Sequence, residues 1–237
     1  VTIEQLDAAY TERTKVLLFV SPDNPSGAVC PPDMVKAIGE WALDKGVWVI
    51  TDEIYEHLTY GDNTFVSMPT VVPELANQCI IVNGVAKTYA MTGWRMGYAV
   101  WPDSMVDPVT RLCINDHSCV NAAAQFAGLA ALTGPKDAVD EMVRQFDSRR
   151  RVIIEALNDL PGVRCADAAG AFYAFPNISD TGLSAKEAQD LFLDQAGVAT
   201  VAGTSFGVHG EGFVRFSYAN STENILRAVD RIRPLIG

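Results

Sequence analysis

The chain has 237 residues, 49% of them hydrophobic, and a formal net charge of -11. That is apolar material enough for one large or two modest domains, and the acidic balance leaves no basic stripe for a nucleic-acid backbone. No apolar stretch approaches the roughly 20 residues needed to span a bilayer, so no membrane or nucleic-acid partner is expected, and the scattered cysteines fit a reducing cytoplasm.

Residues 1–10 are amphipathic and open without an initiator methionine, the pattern of a chain that starts inside a longer protein. No charged-then-apolar leader precedes them. Val16-Leu17-Leu18-Phe19-Val20 is a continuous apolar run that stops at Ser21-Pro22-Asp23-Asn24-Pro25-Ser26-Gly27. This predicts a strand buried on both faces, followed by a loop. Met34, Ile38, Trp41 and Ala42 recur at helical spacing, so a helix is predicted over residues 33–45 with Gly46 as its stop. Residues 47–50 read as a second buried strand, with Thr51-Asp52-Glu53-Ile54-Tyr55 at its end. Ile80-Ile81-Val82 is a third, running into Asn83-Gly84-Val85-Ala86-Lys87. Apolar strands alternating with a helix predict an α/β fold with a mostly parallel sheet covered on both faces. Such sheets bind ligands at the carboxyl ends of their strands, where all three polar clusters fall.

From Val139 the spacing changes. Val139, Met142, Val143, Phe146, Ile153, Ile154 and Leu157 form one long helical stripe ending at Pro161-Gly162. It is predicted to join two domains, residues 1–140 and 141–237. Arg149-Arg150-Arg151 within it is predicted to be a solvated or ion-paired helix face. Strand-like runs over residues 170–176 and 212–217, with two helical segments, make a smaller α+β domain. Its last helix is predicted to begin at Asn220 or Ser221, with Glu223 closing a capping box. Cys30, Cys79, Cys113, Cys119 and Cys165 have no CxxC spacing and are expected to be reduced and mostly buried. His57, His117 and His209 form no ligand pair, so no metal site is expected.

Lys87, flanked by small residues after a buried strand, is placed to lose its proton, because desolvation lowers an amine's pKa. A neutral amine is what Schiff-base chemistry requires. Taken singly, such a lysine is as readily a surface residue, Asp52 a helix cap, Asn24 a turn former, and Tyr55 a packed aromatic with a wet hydroxyl. Their order is more specific. Asn24-Pro25-Ser26-Gly27, then Asp52-Glu53-Ile54-Tyr55, then Lys87 with Gly93, Arg95 and Gly97, then Arg215 in Val214-Arg215-Phe216-Ser217-Tyr218 resemble the class I/II aminotransferases of pyridoxal-phosphate fold type I. The bacterial aspartate aminotransferase branch is the nearest match. The resemblance covers essentially the whole chain, but only the later part of the family's chain.

The resemblance implies the fold-type-I architecture, with an incomplete large domain binding pyridoxal 5'-phosphate and a smaller C-terminal domain. It implies a homodimeric transaminase that moves an amino group between an aspartate-like amino acid and a 2-oxo acid. Lys87 would form the Schiff base and shuttle the substrate proton. Asp52 would keep the pyridine nitrogen protonated, while Asn24 and Tyr55 reach the 3'-oxygen. Arg95 would bind the phosphate. Arg215, with Asn24 beside it, would take the substrate carboxylate. Gly84 stands where many relatives have serine, so a phosphate donor there would be backbone, and Ala202 stands where proline is common. The upstream part of the family's chain carries the phosphate loop, the ring-stacking aromatic and much of the specificity pocket, so the whole protein is expected to be longer than this chain. A C–S lyase of the same fold would share nearly all these residues. The sensor domain of a transcription regulator and an inert remnant are the other readings.

Overall fold

The computed structural model describes residues 1–236. The backbone falls into two compact units, Val1–Pro22 with Val29–Val139, and Asp23–Ala28 with the chain from Asp140 onward.

The first unit is an α/β layer. Strands β1 (Val16–Val20), β2 (Trp48–Asp52) and β3 (Cys79–Gly84) run parallel, and β4 (Gly97–Val100) is antiparallel to β3, in the order β1-β2-β3-β4. The register Val20–Asp52–Val82 sets the carboxyl ends of the three parallel strands level. After α1 (Ile3–Ala9), helix α2 (Pro32–Lys45) makes the β1-to-β2 crossover and stops at Gly46, whose φ of 65° ends it in the left-handed conformation. Its face of Val35, Ile38, Trp41 and Ala42 packs with Val47, Val49, Val72, Leu75, Cys79 and Met68 of the short helix α3 (Met68–Val71). Full burial of such a side chain contributes about 1.5–3 kcal/mol, so this cluster anchors the covered side of the sheet. Helices α4 (Asp103–Asp116) and α5 (Ala122–Thr133) follow β4.

The expected burial of β1 on both faces does not hold. Leu18 is 66% exposed and Val16 is exposed too, whereas Leu17 and Phe19 pack against the α2 cluster. The strand is at the edge of the sheet, and its period of two sends alternate residues to opposite faces.

The second unit is α+β. Helix α6 (Asp137–Asn158) leads into a three-stranded antiparallel sheet of order β5-β7-β6, with β5 (Tyr173–Ala174), β6 (Val201–Ala202) and β7 (Val214–Ser217). Strands β5 and β7 are shorter than the strand-like runs predicted over residues 170–176 and 212–217. Helices α7 (Ala185–Leu191) and α8 (Thr222–Ile232) complete the unit, and Ile153, Leu157, Phe192, Phe216, Tyr218, Ile225, Val229 and Ile232 are buried within it. Helix α8 starts from Ser221, whose side chain accepts from Asn224 N. That puts Glu223 at the second helical position, one short of the place where it could close a box. Arg150 and Arg151 of the arginine cluster are ion-paired, and Arg150 is buried rather than solvated: it bonds Asp147 Oδ1 through Nε (2.9 Å) and Nη2 (2.7 Å), and Asp167 through Nη1. Burial alone would raise the Asp147 pKa, yet the bonds from Arg151 and Arg150 outweigh it and hold the carboxyl below its usual range.

A single boundary after residue 140 leaves out Asp23–Ala28, which pack with the second unit. Gly170 N donates to Gly27 O at 2.8 Å, and a Cβ on Gly27 (φ 70°) would lie 2.8 Å from the Ala168 Cβ. Cys79 and Cys165 are buried, and burial pushes both thiols up to about 12; Cys30 and Cys113 are half-buried and Cys119 is exposed, so burial is not general among the thiols. Among the described residues, no helix is long and apolar enough to cross a membrane.

Candidate active site

Asp52 closes β2 and is half-buried; its Oδ1 accepts from Ile54 N at 3.1 Å, which fixes the carboxylate as the chain turns off the sheet. The same turn buries Tyr55. Lys87 lies in the loop after β3, half-buried, with its Nζ 6.0 Å from the centre of the Tyr55 ring. The loop closes through Ala90 N to Lys87 O at 3.2 Å, with Ala90 in the left-handed region at φ 53°. A non-glycine residue there is strained, and such strain gathers at functional loops.

Two buried polar residues were read only as members of their strand-end clusters, with no role of their own. Glu53, next to Asp52, is 3% exposed and accepts from Ser67 Oγ (2.8 Å) and Thr51 Oγ1 (3.2 Å); burial raises its pKa above the usual carboxylate range. Asn83 donates through Nδ2 to Glu56 Oε1 at 2.7 Å and accepts from Gly84 N through Oδ1, also at 2.7 Å. The Gly84 N–H, expected as a backbone phosphate donor, is therefore already engaged. A Cβ at that position would lie 3.2 Å from both Gly97 Cα and Met96 O, so a larger residue there needs those neighbours to give by a few tenths of an ångström. Arg95 is exposed, has φ 54°, and donates through Nη1 to Thr92 O of its own turn at 2.9 Å.

In the second unit, Arg215 stands in β7 opposite Val201 of β6. Its Nη1 donates to Asn24 Oδ1 at 2.8 Å, and its Cζ lies 4.5 Å from the Tyr173 ring centre and 5.0 Å from that of Phe206. Nε is buried without a hydrogen-bond partner. Asn24 sits in a turn that Asp23 closes, its Oδ2 accepting from Ser26 N at 3.1 Å and its O from Gly27 N at 3.0 Å. Ala202, where proline is common among relatives, has a proline-like φ of -58°, but its N–H donates to Gln189 Oε1 at 2.8 Å, a bond a proline would forfeit. Of the candidate residues, Lys87 thus comes together with Tyr55, and Asn24 with Arg215, while Arg95 is engaged by its own turn. Tyr173 and Phe206 were not foreseen, because no local pattern marks a ring that will meet a distant arginine.

A family model described as aminotransferase class I and II matches residues 1–232. The chain belongs to that family. It is 49% identical to an aspartate aminotransferase of Streptomyces avermitilis, over 100% of this chain and 60% of that relative. An aspartate aminotransferase of Geobacillus stearothermophilus is 40% identical over 98% of this chain and 60% of its own length. Among solved structures, the aromatic aminotransferase from Pyrococcus horikoshii superimposes with a TM-score of 0.95 at 35% identity, covering 99% of this chain and 63% of that one. The aspartate aminotransferase from Rhizobium meliloti gives 0.94 at 35% identity, over 99% and 61%. The chain spans about 60% of the length of the curated relatives it matches. Class I and II aminotransferases use pyridoxal phosphate, and the donor set of the first unit suits that group. It contains the functional groups that cofactor would need, an amine (Lys87), a carboxylate (Asp52), a phenol (Tyr55) and a guanidinium (Arg95).

Proposed function

We propose that this protein is a pyridoxal 5'-phosphate-dependent aminotransferase, cytoplasmic and homodimeric, that moves an amino group between an aspartate-like amino acid and a 2-oxo acid. The observation that carries the reading is the approach of Lys87 Nζ to the Tyr55 ring, 6.0 Å away, past the strand ends where Asp52 also stands. When bound, the cofactor supplies an electron-poor ring able to take up the charge left on the substrate's Cα. The residues do the rest. Asp52 would hold a proton on the ring nitrogen, its carboxylate being fixed by the bond from Ile54 N. Tyr55 and Asn24 would donate to the 3'-oxygen, and Arg95 would pair with the phosphate through its planar fork. Lys87 removes the Cα proton as a general base and returns it as an acid. Arg215 receives the α-carboxylate, supported by its bond to Asn24. The names of the relatives support an aspartate-like donor.

The test is to offer the cofactor-loaded protein L-aspartate and 2-oxoglutarate and to measure glutamate. Glutamate formed in step with aspartate consumed is the expected result. Release of pyruvate and ammonia from a cysteine conjugate, without transfer to the oxo acid, would point to the lyase instead.

A further inference from the structure

A guanidinium on a flexible stem must be held in one plane before it can meet both oxygens of a carboxylate at once. The bond from Arg215 Nη1 to Asn24 Oδ1 fixes one nitrogen but leaves rotation about that contact. Two rings lie close enough to restrict the rotation, Tyr173 at 4.5 Å and Phe206 at 5.0 Å from Cζ. Tyr173 is a core residue at 7% exposure, whereas Phe206 is 39% exposed and lies at the outer side of the arginine. Its position is built. It ends the short 3-10 helix Gly203–Phe206, and Gly207 at φ 121° turns the chain away immediately after it. At the base of this loop Gly203 N donates to Phe213 O at 2.8 Å, and a Cβ on Gly203 would lie 2.1 Å from Gly210 O, an approach only glycine permits. Phe175 meets the Phe206 ring edge-on at 6.3 Å and itself stacks on Phe213 at 5.0 Å. The buried Nε of Arg215 has no hydrogen-bond partner among the described residues.

We infer that Phe206 is a positioning residue for the substrate carboxylate, fixing the plane of Arg215 together with Tyr173 so that carboxylate binding needs no reordering of the arginine. This rests on the reading of Arg215 as the carboxylate clamp. Its signature is a loss of binding shared by ground state and transition state, which raises KM and leaves kcat nearly unchanged.

The test uses intact, cofactor-loaded protein, with succinate as an unreactive carboxylate probe in calorimetry and L-aspartate in steady-state kinetics. For Phe206→Leu, the succinate Kd and the aspartate KM should both rise about 3- to 10-fold, the scale of a partly desolvated cation–π contact, with kcat changed less than about twofold. Phe206→Tyr keeps a ring and should bind succinate like the parent. If Phe206→Leu leaves Kd and KM at parental values, or lowers kcat alone, the inference is overturned. Should Phe206→Leu fail to fold, Phe206→Tyr decides, because weakened binding with the ring retained also overturns it. Arg215→Lys separates the two ideas: succinate binding unchanged in that variant removes the clamp itself, whereas loss there with parental binding in Phe206→Leu removes only the role of the ring.

Discussion

The two units place their polar groups by different means. In the first, the backbone does it: Asp52 ends β2, Lys87 follows β3, and the level register of the parallel strands fixes where each begins its loop. In the second, Arg215 sits within a strand, and its orientation comes from side chains converging from far along the chain, Asn24 being 191 residues away. Topology is enough to deliver an amine and a carboxylate to the carboxyl end of a sheet. Presenting a flat guanidinium takes side-chain contacts, because its value lies in the plane it keeps.

That contrast can be broken most sharply at Lys87. Lys87→Arg keeps the charge but provides no amine for the cofactor aldehyde, and transamination is expected to fall by about a thousandfold or more. Succinate affinity, set by Arg215, should stay within about threefold; a parallel loss of both would mean that the roles of the two units are not separable. Next in size is Glu53→Ala, which strips the hydroxyls of Thr51 and Ser67 of their buried acceptor. It should cost about 2–3 kcal/mol in urea unfolding, and a cost near zero would show that the turn after β2 does not depend on this carboxyl. Arg150→Met should cost about 1–2 kcal/mol, less than a fully buried pair because Asp167 is mostly exposed and Asp147 keeps Arg151.

The smallest effect is one of pH. Burial raises the Glu53 pKa, so the folded form binds that proton more tightly than the unfolded chain does. The stability this provides is complete below the ordinary glutamate value of about 4.3 and is lost as pH rises through the raised folded value. Glu53→Gln is neutral throughout and keeps its size. Its melting profile should be flatter than the parent's across that window, with the difference moving in the variant's favour as pH rises. A parallel profile would mean that folding leaves the Glu53 carboxyl at its unfolded pKa, which contradicts the effect of burial.

Local patterns carried much of the fold. The apolar run at Val16–Val20 and the helical spacing that ends at Gly46 both became the elements expected, since each is decided by neighbours in sequence. What the same patterns could not convey is tertiary. A run of five apolar residues looks the same whether one face or two are covered, so the exposure of Leu18 was not legible. The packing of Asp23–Ala28 with the second unit depends on the bond between Gly27 and Gly170, which no spacing reveals. Within the candidate site, Asp52, Tyr55 and Lys87 were legible because they lie in short motifs at strand ends. Phe206 was not, since its partner and its loop closure through Gly203 and Gly210 exist only once the chain is folded. The engagement of Gly84 N by Asn83 likewise turns on a side-chain rotamer that the sequence does not state.

The most direct measurement is borohydride reduction of the cofactor-loaded protein, followed by peptide mass mapping. The reduced pyridoxyl phosphate is expected on Lys87. A label on any other lysine, or on none, would contradict the assignment of the reactive amine to the loop after β3.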